Sequence, residues 1–347
     1  MSLRKYRAKW IAVGILLCLG LAGLCLAKER SPDAFARNKQ LGRGVNLGNA
    51  LDAPFEGAWG VRLEADYFRL IKAAGFNSVR IPVRFSAHTA KKEPYTIDPT
   101  FLKRADWAVK NALSRGLFAI LDMHHYEEIH VDPAGHKQRY LAMWEQIAEH
   151  FKDHPAELMF ELLNEPCKDL KAEIWNDIIK EVLPVVRKSN PDRTILIGPV
   201  HWNNIDYLSK LSIPAEDRNI IATCHYYSPF HFTHQGASWI GEESKKWLGT
   251  TWTASPEQKQ AVIRDFDKAL TWAEVNKRPI HIGEFGAYSK ADSQSRARWT
   301  AFIARQAEKR KFSWAYWEFC AGFGVYDPID KSWRKGLLES LIPPSKE

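Results

Sequence analysis

Short apolar runs alternate with longer stretches whose apolar residues recur at helical spacing, from about residue 35 to residue 342. The short runs cover 42–47, 78–82, 118–123, 158–162, 194–198, 220–225, 280–282 and 313–317, and each reads as a buried strand. The longer stretches cover 63–74, 101–113, 140–151, 174–186, 258–275 and 296–307, and read as amphipathic helices. Eight strands alternating with helices in about 300 residues predict a parallel α/β fold, and their number and spacing fit a single closed (β/α)8 TIM barrel. An open doubly wound sheet is the competing arrangement; it would carry a glycine-rich turn that opens a helix after the first strand. The glycines 42, 44 and 48 lie within and at the end of the first strand instead, and no helix opens on them, so they do not read as a nucleotide site.

In a barrel the chemistry belongs at the C-terminal ends of the strands. Polar residues gather there: Arg80 at strand two, His124 and His125 at strand three, Asn164 and Glu165 at strand four, His225 and Tyr227 at strand six, Glu284 at strand seven. Strand eight ends at Trp317, a flat apolar face for a sugar ring. Glu165 and Glu284 come from opposing parts of one mouth and read as a carboxylate pair for cutting a glycosidic bond. Such a reaction needs a proton donor for the leaving oxygen and a second carboxylate at the anomeric carbon; a gap of about 5 Å gives retention and about 6.5 Å or more gives inversion. Arg80 and Tyr227 can bond Glu284 and hold it ionised, which predicts a low pKa there. Glu165 needs a raised pKa to act as an acid. Asp122 and Glu161 read as buried supports, and Arg80 can equally pair with Glu161.

The histidines allow a second hypothesis, a metal-dependent barrel hydrolase. Adjacent histidines on a strand face opposite ways and seldom share an ion, and no His-x-His or His-Glu-x-x-His occurs, so no metal or other cofactor is expected. A non-catalytic carbohydrate-binding barrel is the third possibility, opposed by the presence of both carboxylates.

Composition changes the picture at three points. Residues 1–27 carry Arg4, Lys5, Arg7 and Lys9, then an uncharged apolar run from 11 to 27, the form of a secretory signal peptide or an uncleaved anchor. Removing them lowers the formal charge from +8 to about +4, with no arginine-rich arm, so nucleic acid is not an expected partner. The expected product is an exported bacterial monomer, with residues 28–347 as the catalytic domain and a polysaccharide as its partner. Cys167, Cys224 and Cys320 are too few and too scattered for a disulfide framework. The 14 tryptophans fit either core packing or sugar platforms.

Several segments resemble glycoside hydrolase family 5, over residues 35–342. They are Val79-Arg80-Ile81-Pro82, Asp122-Met123-His124-His125-Tyr126, Asn164-Glu165-Pro166, His225-Tyr226-Tyr227, Gly283-Glu284-Phe285-Gly286 and Trp314-Ala315-Tyr316-Trp317-Glu318, in family order. The stretch from Phe232 to Ala237 looks similar to the Thermotoga-type endoglucanase/mannanase subfamily. The resemblance implies retention without a metal, Glu165 as acid/base and Glu284 as nucleophile. It implies supporting roles for Arg80, His124, Asn164, His225, Tyr227 and Trp317, and sugar contacts from Asn49, His125, His234 and Trp239. The implied activity is endo-β-1,4-glucanase, with mannan or glucomannan as further substrates, and a mannanase or xyloglucan-directed enzyme as the alternative. One position departs: Asp52 stands where a Glu is expected, and a shorter acid draws back from a sugar hydroxyl, which bears on preference for mannose.

Overall fold

All eight expected strands form, and each pairs in parallel with the next. The computed structural model describes residues 33–344; the expected signal segment at 1–27 lies outside them. In chain order the elements are α1 (Ala34–Leu41), β1 (Arg43–Asn46), α2 (Ala65–Ala73), β2 (Ser78–Val83), α3 (Pro99–Leu113) and β3 (Phe118–Met123). Next come α4 (Glu127–Val131), α5 (Pro133–His150), β4 (Leu158–Glu161), α6 (Ala172–Ser189), β5 (Ile195–Ile197) and β6 (Ile220–His225). The last turns are α7 (Pro256–Asn276), β7 (Ile280–Glu284), α8 (Ser293–Lys309), β8 (Ser313–Tyr316), a two-stranded flap of β9 (Tyr326–Asp327) and β10 (Ser332–Trp333), and α9 (Lys335–Leu341). The barrel closes where Arg43 pairs with Trp314 and Val45 with Tyr316. Among the described residues no helix is long and apolar enough to cross a membrane.

The strands read as apolar runs because both faces are buried. Ile120, Met159, Leu196 and Ile221 form one apolar cluster from the four consecutive barrel strands β3 to β6, and Ala34 and Leu41 of α1 pack into it. The buried polar residues Asn46, Asp122 and Glu161 gather around the buried Arg80, whereas His281 of β7 bonds Ser313, which reaches Asn38 of α1.

Helices α3, α5 and α7 begin earlier than the apolar periodicity suggests. Their starts are set by Asp98, Asp132 and Ser255, whose side chains accept from backbone N–H groups of the first turn, each followed by a proline at the first helical position. Side chains on the helices then fix the strand ends. Tyr140 Oη and Trp144 Nε1 of α5 both donate to the Leu162 carbonyl, at 2.9 and 3.0 Å, just before Asn164 and Glu165. Trp175 Nε1 does the same for Gly198 at 2.9 Å and Trp299 Nε1 for Ser228 at 3.0 Å. These three tryptophans, with Trp252 and Trp314, are fully buried, so part of the tryptophan content is core.

Candidate active site

Arg80 is the centre from which the mouth is built. Its Nε and Nη2 fork onto Glu161 at 2.8 and 2.9 Å, and its Nη1 donates to Glu284 Oε1 at 2.7 Å and Asn46 Oδ1 at 3.0 Å. Nη2 also reaches Asn164 Oδ1 at 2.9 Å and lies 3.0 Å from Asp122 Oδ2. Both expectations for Arg80 hold at once: it braces the barrel interior through Glu161 and aims Glu284.

Glu284 ends β7, and its other oxygen accepts from Tyr227 Oη at 2.8 Å. Burial and the neighbouring Glu284 and Glu165 push the Tyr227 phenol well up, so it stays a donor. Glu165 stands opposite, with a quarter of its side chain exposed. Its φ of 49° is left-handed, an uncommon conformation for a residue with a side chain. His225 Nδ1 lies 2.8 Å from Glu165 Oε1 and 3.6 Å from Glu284 Oε2. One oxygen of Glu165, one of Glu284 and a His225 nitrogen all lie within 4.8 Å of one another.

Burial pushes Glu165 up to about 7, partly offset by His125 and Arg80 and reinforced by Glu161 and Glu127. The low pKa expected for Glu284 is not found. Burial raises it as well, against the pull of His225, Arg80 and the Tyr227 hydrogen bond. The two carboxyls therefore compete for protons, and the donors decide where the proton sits. Glu284 has Arg80 and Tyr227, whereas Glu165 has the imidazole of His225, which burial pushes down to about 4 and so keeps neutral. The proton resides on Glu165.

His124 and Trp317 form the flat wall. Their rings stack 5.6 Å apart with planes 4° from parallel, and His124 Nδ1 is 2.5 Å from Asp122 Oδ2. Glycine at two positions admits Trp317: a Cβ on Gly48 would lie 2.7 Å from the indole ring, and one on Gly286 2.1 Å from the Trp317 carbonyl oxygen. Gly48 thus has a packing role that the glycine spacing alone did not reveal.

The two histidines correct a second expectation. They do not face opposite ways, because β3 ends at Met123 and His125 turns left-handed with φ 50°. Ligand atoms of His124, His125 and Asp52 come within 4.8 Å of one another. Asp52 is fully buried, and its two oxygens accept from the backbone N–H groups of Asn49 at 3.0 Å and Ala50 at 2.7 Å. It holds the turn at Asn49, whose φ is 63°, with both oxygens engaged by the backbone.

His234 is buried, stacks on Phe230 at 4.1 Å and meets Tyr227 edge-on at 4.9 Å. Trp239 is 57% exposed and lies 6.3 Å from His234, so both expected contacts join the wall behind Tyr227. Cys224 is a packed, fully buried thiol, and Cys167, Cys224 and Cys320 are all buried and form no disulfide. Three residues were not singled out from the sequence. Trp59 is 43% exposed and set edge-on to His125, and Trp202 is 51% exposed with its N–H on the Pro166 carbonyl at 3.2 Å. Asn203, the next residue, is buried and bonds His225. For Trp202 and Asn203 the available signal was position, since both follow closely after β5; Trp59 lies in the long loop between β1 and α2.

A closed eight-stranded parallel barrel that sets two close carboxylates at strands four and seven, braced by an arginine, has the architecture of a barrel glycosidase. The chain belongs to the cellulase family, glycosyl hydrolase family 5, whose family model matches residues 42–322. It is similar to Endoglucanase H of Acetivibrio thermocellus, with 39% identity over 304 residues, 88% of this chain but 32% of that protein. It thus spans about a third of that relative's length. Among solved structures it is similar to Thermotoga maritima Cel5A in complex with cellobiose and in complex with mannotriose, at 52% identity and a TM-score of 0.87, covering 89% of this chain and 100% of that one. It is also similar to the cellulose synthase subunit Z of Clostridioides difficile, at 41% identity and a TM-score of 0.84, covering 87% and 99% of the two chains.

Proposed function

We propose that this chain is a retaining endo-β-1,4-glucanase that cleaves cellulose-type β-glucans by double displacement and also accepts glucomannan or mannan. The observation that carries the reading is the carboxylate pair, with an oxygen of each within 4.8 Å. That gap suits direct attack by one carboxylate and is too small for the water that an inverting enzyme interposes. Glu284, aimed by Arg80 and Tyr227, attacks the anomeric carbon while Glu165 gives its proton to the leaving oxygen. The bond from carbon to Glu284 then removes a negative charge beside Glu165. Glu165, now ionised, takes a proton from the incoming water, and that water's oxygen displaces Glu284. His124 and Trp317 provide the flat wall for the ring being attacked, and Asn164 is placed to bond a hydroxyl beside the reacting carbon.

The breadth of substrate rests on the likeness to Thermotoga maritima Cel5A, which has been seen with both cellobiose and mannotriose. We further propose that the chain is exported through its first 27 residues and acts as a monomer. Sequencing the N-terminus of the exported protein distinguishes cleavage from anchoring. The test of function is a panel of carboxymethyl cellulose, glucomannan, galactomannan and xyloglucan, with the anomer of the first product read by NMR. We expect the highest rate on a glucan, the β-anomer first, and no loss with a chelator. An initial α-anomer would refute retention, and a rate highest on galactomannan or xyloglucan would reassign the substrate.

A further inference from the structure

Three consecutive residues with side chains, His201, Trp202 and Asn203, occupy the left-handed region, with φ of 60°, 57° and 55°. Single residues visit this region; a run of three is sterically disfavoured and persists only where surrounding contacts compensate. The compensation lies at its last member. Asn203 is fully buried, and its Nδ2 is 3.2 Å from His225 Nε2. Glycines make the space for this contact: a Cβ on Gly198 would lie 2.0 Å from Asn203 Oδ1, and one on Gly283 3.1 Å from His225 Nε2.

The orientation of the amide follows from what each end meets. No N–H or O–H reaches Asn203 Oδ1, which lies against Gly198, where a Cα–H is a weak donor. An NH2 turned that way would leave two strong donors buried without acceptors, so the NH2 faces the imidazole. It can only donate. Nε2 must then carry the lone pair, and the ring proton is on Nδ1. The other side of the ring agrees, because Nδ1 faces carboxylate oxygens of Glu165 at 2.8 Å and Glu284 at 3.6 Å.

We propose that Asn203 is a positioning residue for the acid/base step: by donating to His225 Nε2 it fixes the Nδ1–H tautomer, so His225 cannot take the proton of Glu165. This rests on the reading of Glu165 as acid/base. With Nδ1–H donating to Glu165 Oε1, the acid proton is kept on the other carboxyl oxygen and remains available to the leaving group. With the opposite tautomer a bare Nδ1 would accept that proton and hold it away from the substrate. After the first displacement the same Nδ1–H steadies the Glu165 carboxylate until it acts as base.

The charged and titratable groups around Glu165 are His225 of β6, Tyr227 after it, Glu284 of β7, Arg80 of β2, Glu161 of β4, His125 after β3 and Glu127 of α4. None of these is altered in the test. Asn203→Gly removes the amide while tolerating the left-handed backbone. Asn203→Asp replaces the donor by an acceptor, which favours a doubly protonated His225. Nitrogen-15 spectra of the histidine rings should show His225 as the Nδ1–H tautomer in the unaltered chain and lose that preference in Asn203→Gly. Turnover of unactivated glucan should fall about 10–100-fold in kcat, with KM within about threefold. On a dinitrophenyl cellobioside, whose leaving group needs little acid help, the fall should be less than about threefold. In Asn203→Asp the alkaline limb of kcat/KM should move to lower pH, because an imidazolium beside Glu165 is nearer to it than the new carboxylate. An Nε2–H tautomer in the unaltered chain, or wild-type kcat on glucan in Asn203→Gly, would overturn the proposal. An equal loss on both substrates would do so too, since it marks a merely structural effect. If the chain cleaves no β-glycan, the acid/base reading fails while the nitrogen spectra still decide what Asn203 does.

Discussion

Replacing Glu165 with Gln should stop polysaccharide cleavage and, at neutral to alkaline pH, make the folded protein more stable. The carboxyl titrates near 4.5 when free in water and is pushed up to about 7 in the fold, chiefly by burial. Below about pH 4.5 it is protonated in folded and unfolded chains alike, so it contributes nothing to the difference. As pH rises from there to about 7, the unfolded chain ionises while the folded one retains its proton, and stability is lost. Above about 7 both forms are ionised and the folded state carries the full cost. The gap corresponds to ~3 kcal/mol at about 1.4 kcal/mol per pH unit. Because a quarter of the side chain is exposed, solvent screens part of that cost, and about 2 kcal/mol is the figure to expect.

Gln is neutral throughout and can still accept from His225 Nδ1. Glu165→Gln should therefore exceed the unaltered chain by about 2 kcal/mol at pH 8, about 4 °C in Tm for a domain of this size, and match it at pH 4. The measurement is a pair of reversible denaturant titrations at each pH, with thermal scans as a second readout. Equal stabilisation at both pH values would trace the effect to packing, not charge. Loss of stability at pH 8 would mean that the ionised carboxyl is a net favourable member of the site, and the account of its raised pKa would be wrong.

Two other substitutions probe the same site. Tyr227→Phe removes a buried donor 2.8 Å from Glu284 Oε2. A hydrogen bond to a charged group is worth ~1.5–3 kcal/mol, so the acid limb of kcat/KM on an aryl cellobioside should rise by about one to two pH units while the alkaline limb stays; an unmoved acid limb would separate Tyr227 from the charge of Glu284. Gly48→Ala places a methyl group 2.7 Å from the Trp317 ring, which must tilt away from its stack with His124. Glucan kcat/KM should fall by about tenfold, ~1.4 kcal/mol of transition-state stabilisation, with a Tm change of only a few degrees; full activity would remove Trp317 orientation from the account.

The barrel was legible because parallel strands buried on both faces must be apolar runs, and strands of 3 to 6 residues joined by helices leave little else to read. Helix α1 was not legible, since its sequence, Ala-Phe-Ala-Arg-Asn-Lys-Gln-Leu, hides two core residues among polar ones. The rule that chemistry lies at strand ends brought Arg80, Asn164, Glu165, His225, Tyr227 and Glu284 into one hydrogen-bonded group. It failed where the chain leaves the strand. His124 and His125 were read with strand alternation past the end of β3, and nothing in the sequence showed that the oxygens of Asp52 fold back on Asn49 and Ala50. Asn203 gave no compositional cue, because its conformation is imposed by the close approach of Gly198 and by the contact with His225 on the next strand. The low pKa expected for Glu284 counted its donors and omitted the cost of burying it.

The same cost of burial explains why Glu165, among the acids of the mouth, best fits the proposed role of proton donor. Asp122, Glu161, Glu165 and Glu284 all surround one guanidinium, that of Arg80. A single cation in a desolvated site cannot hold four carboxylates ionised, so the mouth must store protons. Burial, reinforced by Glu161 and Glu284, pushes Asp122 well above the usual carboxylate range, but its side chain is fully enclosed, and its proton has only His124 Nδ1 to go to. Glu161 is closed in the fork of Arg80, and Glu284 is held by Arg80 and Tyr227 with 6% of its side chain exposed. Glu165 alone combines a pKa near neutrality with a quarter of its side chain open to the cleft. Burial chiefly raises Glu165 to a useful value, with Glu161 and Glu127 adding to it, and its exposure gives the stored proton a way out to the cleft.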